Sequence, residues 1–355
     1  MTAPDDDRPR PRLGLDAYSL RSTGWGPLEL LEHAAGLGAE VVQLSEPRFI
    51  GALDEGNLRT IRARADELGV DLEVGMGSIC PSSGMFRPDD GTAVEQLTRM
   101  LHVAAALRSP IVRCYLGSAA DRGPAMETHV ANTIATCRAV ERTALELGVK
   151  VVIENHAGDL QTGRLRDLIE RAGPHFVGAL FDAGNASWTL EDPIAALETI
   201  APHVLTSGIR DAKVWETTDG AAVEWVAMGD GDGQVGRLAQ RYAELCPGKA
   251  FCLEVIPHPP RSFPWRRPGF WDAYRDVPAW VFAGFLDWVR QGMERHGPGD
   301  EPLEAPNAGT TAAREVADVA AAMAFARTAL GLGRPTPGSP VTAATPAIPA
   351  TAPRS

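Results

Sequence analysis

The amino-acid sequence predicts an α/β protein of the (β/α)8 (TIM) barrel class, with a β-hairpin inserted after the seventh strand and a C-terminal extension. Apolar strand-like runs alternate with amphipathic helical segments over about 280 residues, and a typical barrel of this class has roughly 250. Polar residues stand where several of these runs end. An open doubly wound sheet is the weaker alternative, because no Gly-rich phosphate turn follows the first strand.

Eight predicted strands are short and apolar, and a helical pattern follows each of them. The strands cover residues 12–20, 40–46, 70–79, 109–117, 149–155, 176–185, 203–213 and 250–256. The helices cover residues 27–38, 54–68, 92–107, 124–147, 161–172, 192–200, 234–245 and 281–297. The fifth strand has the clearest pattern, because its apolar run leads directly into Glu154, Asn155 and His156.

Three segments depart from this alternation. Two alternating runs around Asp219-Gly220, within residues 214–232, predict the inserted hairpin. Residues 257–280 are dense in Pro, Arg and aromatic residues and predict either an oligomer contact or a cover over the site. We therefore expect a disordered N-terminal arm over 1–11, a barrel domain over 12–296, and a largely disordered Ala/Pro-rich tail over 297–355 with an Ala-rich helix near 311–330.

The composition limits the partners and the location. The net charge is −12 and the pI about 5.2, which argues against nucleic acid and anionic membranes as partners. Five scattered Cys without a CxxC motif are typical of reduced thiols, so we expect a cytoplasmic protein. The sequence shows no signal peptide and no run of about 18 apolar residues that could span a membrane. The partner we expect is a small molecule, and a homo-oligomer is compatible with the aromatic segments.

Acidic side chains end three of the predicted strands. Glu154, Asp182 and Glu254 follow the fifth, sixth and eighth strands, and a barrel brings these strand ends to one rim. Three carboxylates so close together would repel one another unless a cation lay between them. The pattern therefore predicts one divalent metal ion bound by these residues.

Other polar residues near the same rim are candidates for substrate binding. Arg113 and Arg210 could orient a carboxylate or phosphate of the substrate, or could serve as structural ion-pair partners. Glu46 and Asp211 also follow strands, although a single carboxylate in that position is often a helix N-cap. His156 has a catalytic or metal-binding role or a simple backbone hydrogen bond as its two interpretations.

Four segments carry a resemblance to a known family. VVIENHAGD, ALFDAGN, TSGIRDAKVW and FCLEV, in this order, resemble the xylose isomerase-like TIM-barrel superfamily of sugar isomerases and epimerases, over about residues 12–292. LGLDAYSLRSTGWG, VVQLSEPRF and LEVGMGSICP resemble a branch described as sugar phosphate isomerase/epimerase or 3-oxo-isoapionate decarboxylase. The resemblance implies one divalent metal bound by Glu, Asp, His and Glu, at positions 154, 182, 208 and 254 here.

Position 208 departs from the family pattern, because it is Gly208 where the family has the His ligand. Water, substrate or a neighbouring His could fill the space, and His156 is the first candidate. An all-oxygen site favours Mn²⁺ or Mg²⁺, with Zn²⁺ or Co²⁺ as further possibilities. The loss of the imidazole could instead mean weak metal binding or no activity.

The resemblance also implies the chemistry, which is enolisation next to a carbonyl group. Glu154 and Glu254 would carry the proton transfers on a keto-sugar or sugar acid. The sequence leaves open a lyase, either a 3-oxo-isoapionate-type decarboxylase or a 3-keto-sugar deglycosidase. A catalytically impaired barrel that binds sugar is the alternative outside the enzymes.

Overall fold

The computed structural model describes residues 9–232, 234–296 and 311–333. These residues contain eleven strands. They are β1 (Arg12–Asp16), β2 (Val41–Leu44), β3 (Asp71–Ser78), β4 (Ile111–Tyr115), β5 (Lys150–Glu154), β6 (Val177–Asp182), β7 (Val204–Gly208), β8 (Asp211–Glu216), β9 (Ala221–Val226), β10 (Ala250–Leu253) and β11 (His258–Phe263). Eight of them form a parallel sheet in the order β10-β1-β2-β3-β4-β5-β6-β7, which is the order of a (β/α)8 barrel. The predicted barrel is confirmed.

The barrel closes between β7 and β10 through one short seam. Ile209 forms a single parallel bridge with Leu253, in which its N–H donates to the Cys252 carbonyl at 2.8 Å. Its own carbonyl accepts from the Glu254 N–H at 3.0 Å. Below this bridge the Ser207 hydroxyl replaces backbone pairing by donating to the Ala250 carbonyl at 3.0 Å. The seam therefore lies beside the predicted site residues at 208, 210 and 254.

Ten α-helices lie within the described residues. They are α1 (Pro27–Gly36), α2 (Glu55–Leu68), α3 (Ala93–Leu107), α4 (Met126–Leu147), α5 (Thr162–Ala172), α6 (Ala183–Ser187), α7 (Pro193–Ile200), α8 (Gln234–Leu245), α9 (Ala279–His296) and α10 (Ala312–Thr328). Local chemistry sets many of their ends. Thr92 and Glu95 form a capping box at the start of α3, and Gly69 ends α2 in the left-handed conformation. None of the described helices has the length and apolarity needed to cross a bilayer.

A second, antiparallel sheet stands on the barrel, and we call it the small sheet. Its strand order is β11-β9-β8, so the predicted hairpin is confirmed. The predicted seventh strand over 203–213 was too long, because the strand ends at Gly208 and the hairpin begins at Asp211. The segment 257–280 is also more ordered than a loop, since its first part is β11. Helix α9 packs on this sheet through Phe285 and Trp288.

Helix α9, the first α-helix after the last barrel strand, thus packs on the small sheet. Helix α10 packs on the barrel instead. Its apolar side chains, including Val319 and Met323, join the main core that surrounds the barrel strands. The buried Glu315 carboxylate accepts hydrogen bonds from the Ser22 N–H and hydroxyl, both at 2.8 Å, and so holds the segment after β1. Within the tail over 297–355 the structure describes this helix and its flanks. Residues 9–11 of the expected disordered arm are described, and the Pro9 carbonyl accepts from the Gly248 N–H at 2.8 Å. Residues 1–8 and the rest of the tail lie outside the described residues, and the domain boundaries stay predictions.

Candidate active site at the barrel mouth

Three carboxylates meet where the barrel strands end, and we call them the carboxylate cluster. Glu154 ends β5, Asp182 ends β6, and Glu254 directly follows β10. Oxygen atoms from the three side chains all lie within 4.8 Å of one another. The residues are 1%, 0% and 6% exposed, so the cluster is withdrawn from bulk water. The predicted convergence of these three side chains is present in the structure.

Arg113 neutralises one side of the cluster. It lies within β4, next to β5, and its Nε donates to Glu154 Oε2 at 2.5 Å. Its Nη2 contacts the same oxygen, and its Nη1 donates to the Met76 carbonyl at 3.3 Å. The guanidinium carbon also lies 5.0 Å from the centre of the Tyr115 ring. All three nitrogens of Arg113 therefore have an acceptor.

Arg210 neutralises the other side, from a position just after the seam. Its Nη2 lies 2.5 Å from Glu254 Oε2 and 3.1 Å from Asp182 Oδ2, so one nitrogen bridges two carboxylates. Its Nη1 donates to Asn185 Oδ1 at 3.2 Å. Within the described residues, the Arg210 Nε has no acceptor and Asp182 Oδ2 has no aligned donor. The guanidinium carbon lies 4.1 Å from the centre of the Trp225 ring.

Two amides fix the orientation of these groups. Asn155 donates to the Asp182 carbonyl at 2.8 Å and accepts from the Asp182 N–H at 2.9 Å, which joins the ends of β5 and β6. Asn185 donates through its side chain to Glu154 Oε1 at 3.0 Å, and its N–H donates to Asp182 Oδ1 at 2.7 Å. The cluster is therefore held before any ligand binds.

Burial and charge separate the protonation behaviour of the three carboxylates. Burial raises the pKa of Asp182 well above its ordinary value, and the positive charge of Arg210 only partly offsets this effect. Burial also raises the pKa of Glu154, against the opposing charge of Arg113. For Glu254, burial acts in the same direction, but the charge and hydrogen bond of Arg210 outweigh it and lower the pKa. Glu254 is thus the member of the cluster that holds its negative charge most firmly.

Gly208, the last residue of β7, faces the cluster directly. A Cβ atom built on Gly208 would lie 3.2 Å from Glu254 Oε2 and 3.3 Å from Asp182 Oδ2. A side chain at this position would therefore point between two of the three carboxylates. The described His residues do not take this place in the cluster, which consists of carboxylates alone.

His156 lies beside the cluster with a fixed tautomer. Its Nδ1 is 2.7 Å from the Gly117 carbonyl and must donate to it, which leaves Nε2 as an acceptor. The ring stacks on Tyr115 with 3.7 Å between centroids. Burial and the nearby charge of Arg113 lower the His156 pKa to about 3, so the imidazole is neutral at ordinary pH.

Glu46 and Asp211 take other positions. Glu46 is part-exposed at the rim and pairs with Arg48 at 2.5 Å. The Asp211 carboxylate accepts from the Gly229 N–H at 2.9 Å and the Gly231 N–H at 3.2 Å, so it holds the chain that leaves the small sheet. These contacts favour a structural role for Asp211 and keep Glu46 outside the buried site.

Asp16, at the end of β1, is a buried acid that the sequence analysis missed. It accepts from the Ser45 hydroxyl at 2.5 Å and from the Tyr18 N–H at 2.8 Å. Burial and the charge of Glu254 raise its pKa to about 7. The available signal was an acidic residue at a strand end, but the first strand was predicted to continue to residue 20.

A stack of two tryptophans borders the site, Trp225 from β9 of the small sheet and Trp188 directly after α6. The Trp188 and Trp225 rings lie 4.1 Å apart and nearly parallel. Arg210 covers the outer face of Trp225, and the Arg261 guanidinium carbon lies 4.2 Å from the centre of the Trp188 ring. His258 meets the edges of both tryptophans, at 5.4 and 5.6 Å. The inserted hairpin therefore takes part in positioning Arg210.

The acidic side chains converge at the carboxyl ends of the barrel strands. This is where (β/α)8-barrel enzymes have their active sites, so the cluster is a candidate active site. Residues 31–260, more than half of the chain, match the xylose isomerase-like TIM barrel family. The chain therefore belongs to that family, and the resemblance drawn from the sequence is confirmed.

Individual relatives are more distant. A 3-oxo-isoapionate decarboxylase of Pectobacterium atrosepticum is 26% identical over 186 residues, which are 52% of this chain and 61% of that relative. The chain thus spans about three fifths of that relative's own length.

Two solved structures show the same fold. A D-psicose 3-epimerase studied in the presence of D-fructose has a TM-score of 0.58 at 15% identity, covering 90% of this chain and 99% of that chain. The IolI protein with a bound zinc atom has a TM-score of 0.52 at 11% identity, covering 80% and 97% respectively.

Proposed function

We propose that this protein is a metal-dependent sugar isomerase or epimerase that performs enolisation chemistry on a keto-sugar or sugar acid. The observation that carries the proposal is the carboxylate cluster, in which three buried acids from β5, β6 and the end of β10 converge within 4.8 Å. The chain belongs to a family that contains sugar isomerases and epimerases, and this supports the same reaction class.

The composition of the cluster suits a divalent cation. All three donors are carboxylate oxygens, which favour Mn²⁺ or Mg²⁺, while Zn²⁺ and Co²⁺ remain alternatives. Asp182 Oδ2 has no aligned donor within the described residues, so it is available as a ligand. When all three carboxylates are ionised, Arg113 and Arg210 leave one negative charge uncompensated, and Asp16 adds another when it is ionised. A bound divalent cation would supply Lewis acidity that polarises a substrate carbonyl.

The protein's own residues would move the proton. By the resemblance, Glu154 and Glu254 would flank the substrate carbon, and one carboxylate would remove a proton from it while the other returns a proton to the opposite face. His156 would accept a hydrogen bond from a substrate hydroxyl through its free Nε2.

The expected substrate is a small molecule, and the two buried arginines favour one that carries a carboxylate. Arg113 and Arg210 are buried cations in contact with the carboxylates, and Arg210, whose Nε has no acceptor within the described residues, could turn toward a substrate carboxylate. We keep Glu46 as a rim contact. The five cysteines form no disulfide, in line with the cytoplasmic location that we expect. A homo-oligomer stays a prediction.

The second candidate is a lyase, and the similarity to a 3-oxo-isoapionate decarboxylase favours it. Loss of CO₂ from a 3-oxo acid and removal of a proton beside a carbonyl both leave negative charge on the same carbon. The same carboxylate cluster would therefore serve both reactions. A 3-keto-sugar deglycosidase would use it in the same way.

Solvent exchange distinguishes these reactions. The Mn²⁺-loaded protein is incubated in D₂O with a panel of keto-sugars and 3-oxo sugar acids, and the products are followed by NMR. An isomerase or epimerase introduces deuterium at the carbon next to the carbonyl, whereas a decarboxylase releases CO₂. Glu254→Gln should abolish the exchange, and Glu55→Gln, at an exposed carboxylate on α2, should retain it. Metal-loaded protein that processes none of the panel would favour the impaired sugar-binding barrel.

A further inference from the structure

We infer that Arg210 is an internal cation that occupies the place of the missing imidazole ligand and that exchanges with the metal ion when the site is loaded. The inference rests on the proposed function, because it concerns how the carboxylate cluster accepts a divalent cation. It assigns a role in metal loading to a residue that the sequence suggested either for substrate binding or for a structural ion pair.

The side-chain position at Gly208 and the Arg210 guanidinium face the same two carboxylate oxygens. The Cβ that Gly208 lacks would lie 3.2 Å from Glu254 Oε2 and 3.3 Å from Asp182 Oδ2. Arg210 Nη2 contacts the same two oxygens, at 2.5 and 3.1 Å. A side chain at position 208 and the Arg210 guanidinium therefore compete for one space. An imidazole at position 208 would reach the two oxygens that the Arg210 guanidinium now contacts, and Gly208 leaves both oxygens to Arg210.

The Arg210 guanidinium has fewer of its nitrogens hydrogen-bonded than the Arg113 guanidinium. Every nitrogen of Arg113 has an acceptor, and two of them contact Glu154. For Arg210, the buried Nε has no acceptor within the described residues, and Asp182 Oδ2 next to it has no aligned donor. Unsatisfied buried polar atoms are costly, so the Arg210 arrangement is the one with free energy to gain by rearranging.

The Arg210 side chain lies where it can move out of the carboxylate cluster. Arg210 follows the single bridge that closes the barrel, outside any regular strand, and one face of its guanidinium rests on Trp225 of the small sheet. When a divalent cation takes the carboxylate oxygens, the guanidinium is repelled and moves relative to that ring. Metal loading should therefore be visible in the stack of Trp188 and Trp225.

The test measures Mn²⁺ binding by isothermal titration calorimetry at about pH 8, where protons compete less with metal for the carboxylates. Four proteins form a cycle: wild type, Arg210→Met, Gly208→His and the double variant. Arg210→Met should bind Mn²⁺ about tenfold more tightly, and Gly208→His alone should change the affinity little. The double variant should exceed the product of the two single effects by about tenfold, as expected for residues in contact.

Arg113→Met is the matched control, because it removes another buried guanidinium from the same cluster. Loss of its charge should also favour a cation, but its effect should multiply independently with Gly208→His. Equal non-additivity in both cycles would overturn the inference and leave only a general charge effect. An unchanged or weaker affinity of Arg210→Met for Mn²⁺ would overturn it too. Absence of metal binding in all of these proteins would contradict the proposed function and this inference together.

A measurement on the wild-type protein covers the case in which a variant fails to fold. Stoichiometric Mn²⁺ should change the near-ultraviolet circular dichroism of the tryptophans, and Trp225→Phe should remove most of that change. Metal binding that leaves the tryptophan signal unaltered would show that Arg210 stays on Trp225, and the exchange would be refuted.

Discussion

The two buried arginines of the barrel mouth make the same kind of contact in different settings. Arg113 lies within a regular strand, uses all three nitrogens and pairs with one carboxylate, Glu154. Arg210 follows the seam of the barrel, bridges Asp182 and Glu254 with one nitrogen, and retains an unsatisfied Nε. The difference indicates that one half of the site is a fixed ion pair and the other half can rearrange.

Stability with and without metal should separate the two arginines most strongly. Removing one partner of a buried ion pair costs about 3–5 kcal/mol, so Arg113→Met and Arg210→Met should both lower the free energy of unfolding in EDTA. Saturating Mn²⁺ should restore most of the loss for Arg210→Met and little of it for Arg113→Met. Urea unfolding followed by far-ultraviolet circular dichroism measures both. Equal rescue of the two variants would remove the distinction between a fixed and an exchangeable cation.

His156, which lies beside the fixed half, should contribute to the acid sensitivity of the fold. His156 has a pKa of about 3 in the folded protein and about 6.5 when unfolded, so between these values the unfolded chain binds more protons. Stability therefore rises with pH in this window and is lost as pH falls. At two pH units below 6.5, the wild type should have lost about 2–3 kcal/mol more than His156→Gln.

Urea unfolding at a series of pH values between these limits measures this difference. His102→Gln, at an exposed position on α3, serves as the control and should follow the wild type. Parallel curves for the wild type and His156→Gln would show that the imidazole is not held neutral beside Arg113.

The smallest expected effect concerns the aromatic support of Arg210. A cation over an aromatic face contributes about 0.5–2 kcal/mol, so Trp225→Phe and Arg210→Met should show a coupling free energy of about 1 kcal/mol in EDTA. Trp288→Phe, on helix α9 packed against the same small sheet, should add independently to Arg210→Met. Full additivity in both pairs would mean that Trp225 does not hold the guanidinium.

Much of the barrel could be predicted from the sequence, because buried parallel strands are short apolar runs and their polar ends meet at one rim. This logic brought Glu154, Asp182 and Glu254 together correctly. The same logic predicted a seventh strand that was too long. Only Ile209 and Arg210 separate the end of β7 from the start of β8, and neither is a Gly or Pro that would mark a turn.

Other features depend on tertiary packing that local patterns do not encode. Strand β11 contains Pro259 and Pro260, which weaken a strand pattern, yet the edge of the small sheet accommodates them. Helix α10 is Ala-rich and weakly patterned, and only its contact with the barrel core gives it a defined place. The bridging position of Arg210 depends on the space left by Gly208, which becomes visible only when β6, β7 and β10 are set side by side.

Metal stoichiometry tests the central claim most directly. Wild type and Asp182→Asn are stripped with a chelator, reloaded with Mn²⁺, passed through a desalting column and measured by inductively coupled plasma mass spectrometry. We predict one metal ion per wild-type chain and none retained by Asp182→Asn, with both proteins folded by circular dichroism. A folded wild type that retains no divalent metal, or an Asp182→Asn variant that retains as much as the wild type, would contradict the assignment of the carboxylate cluster as a metal site.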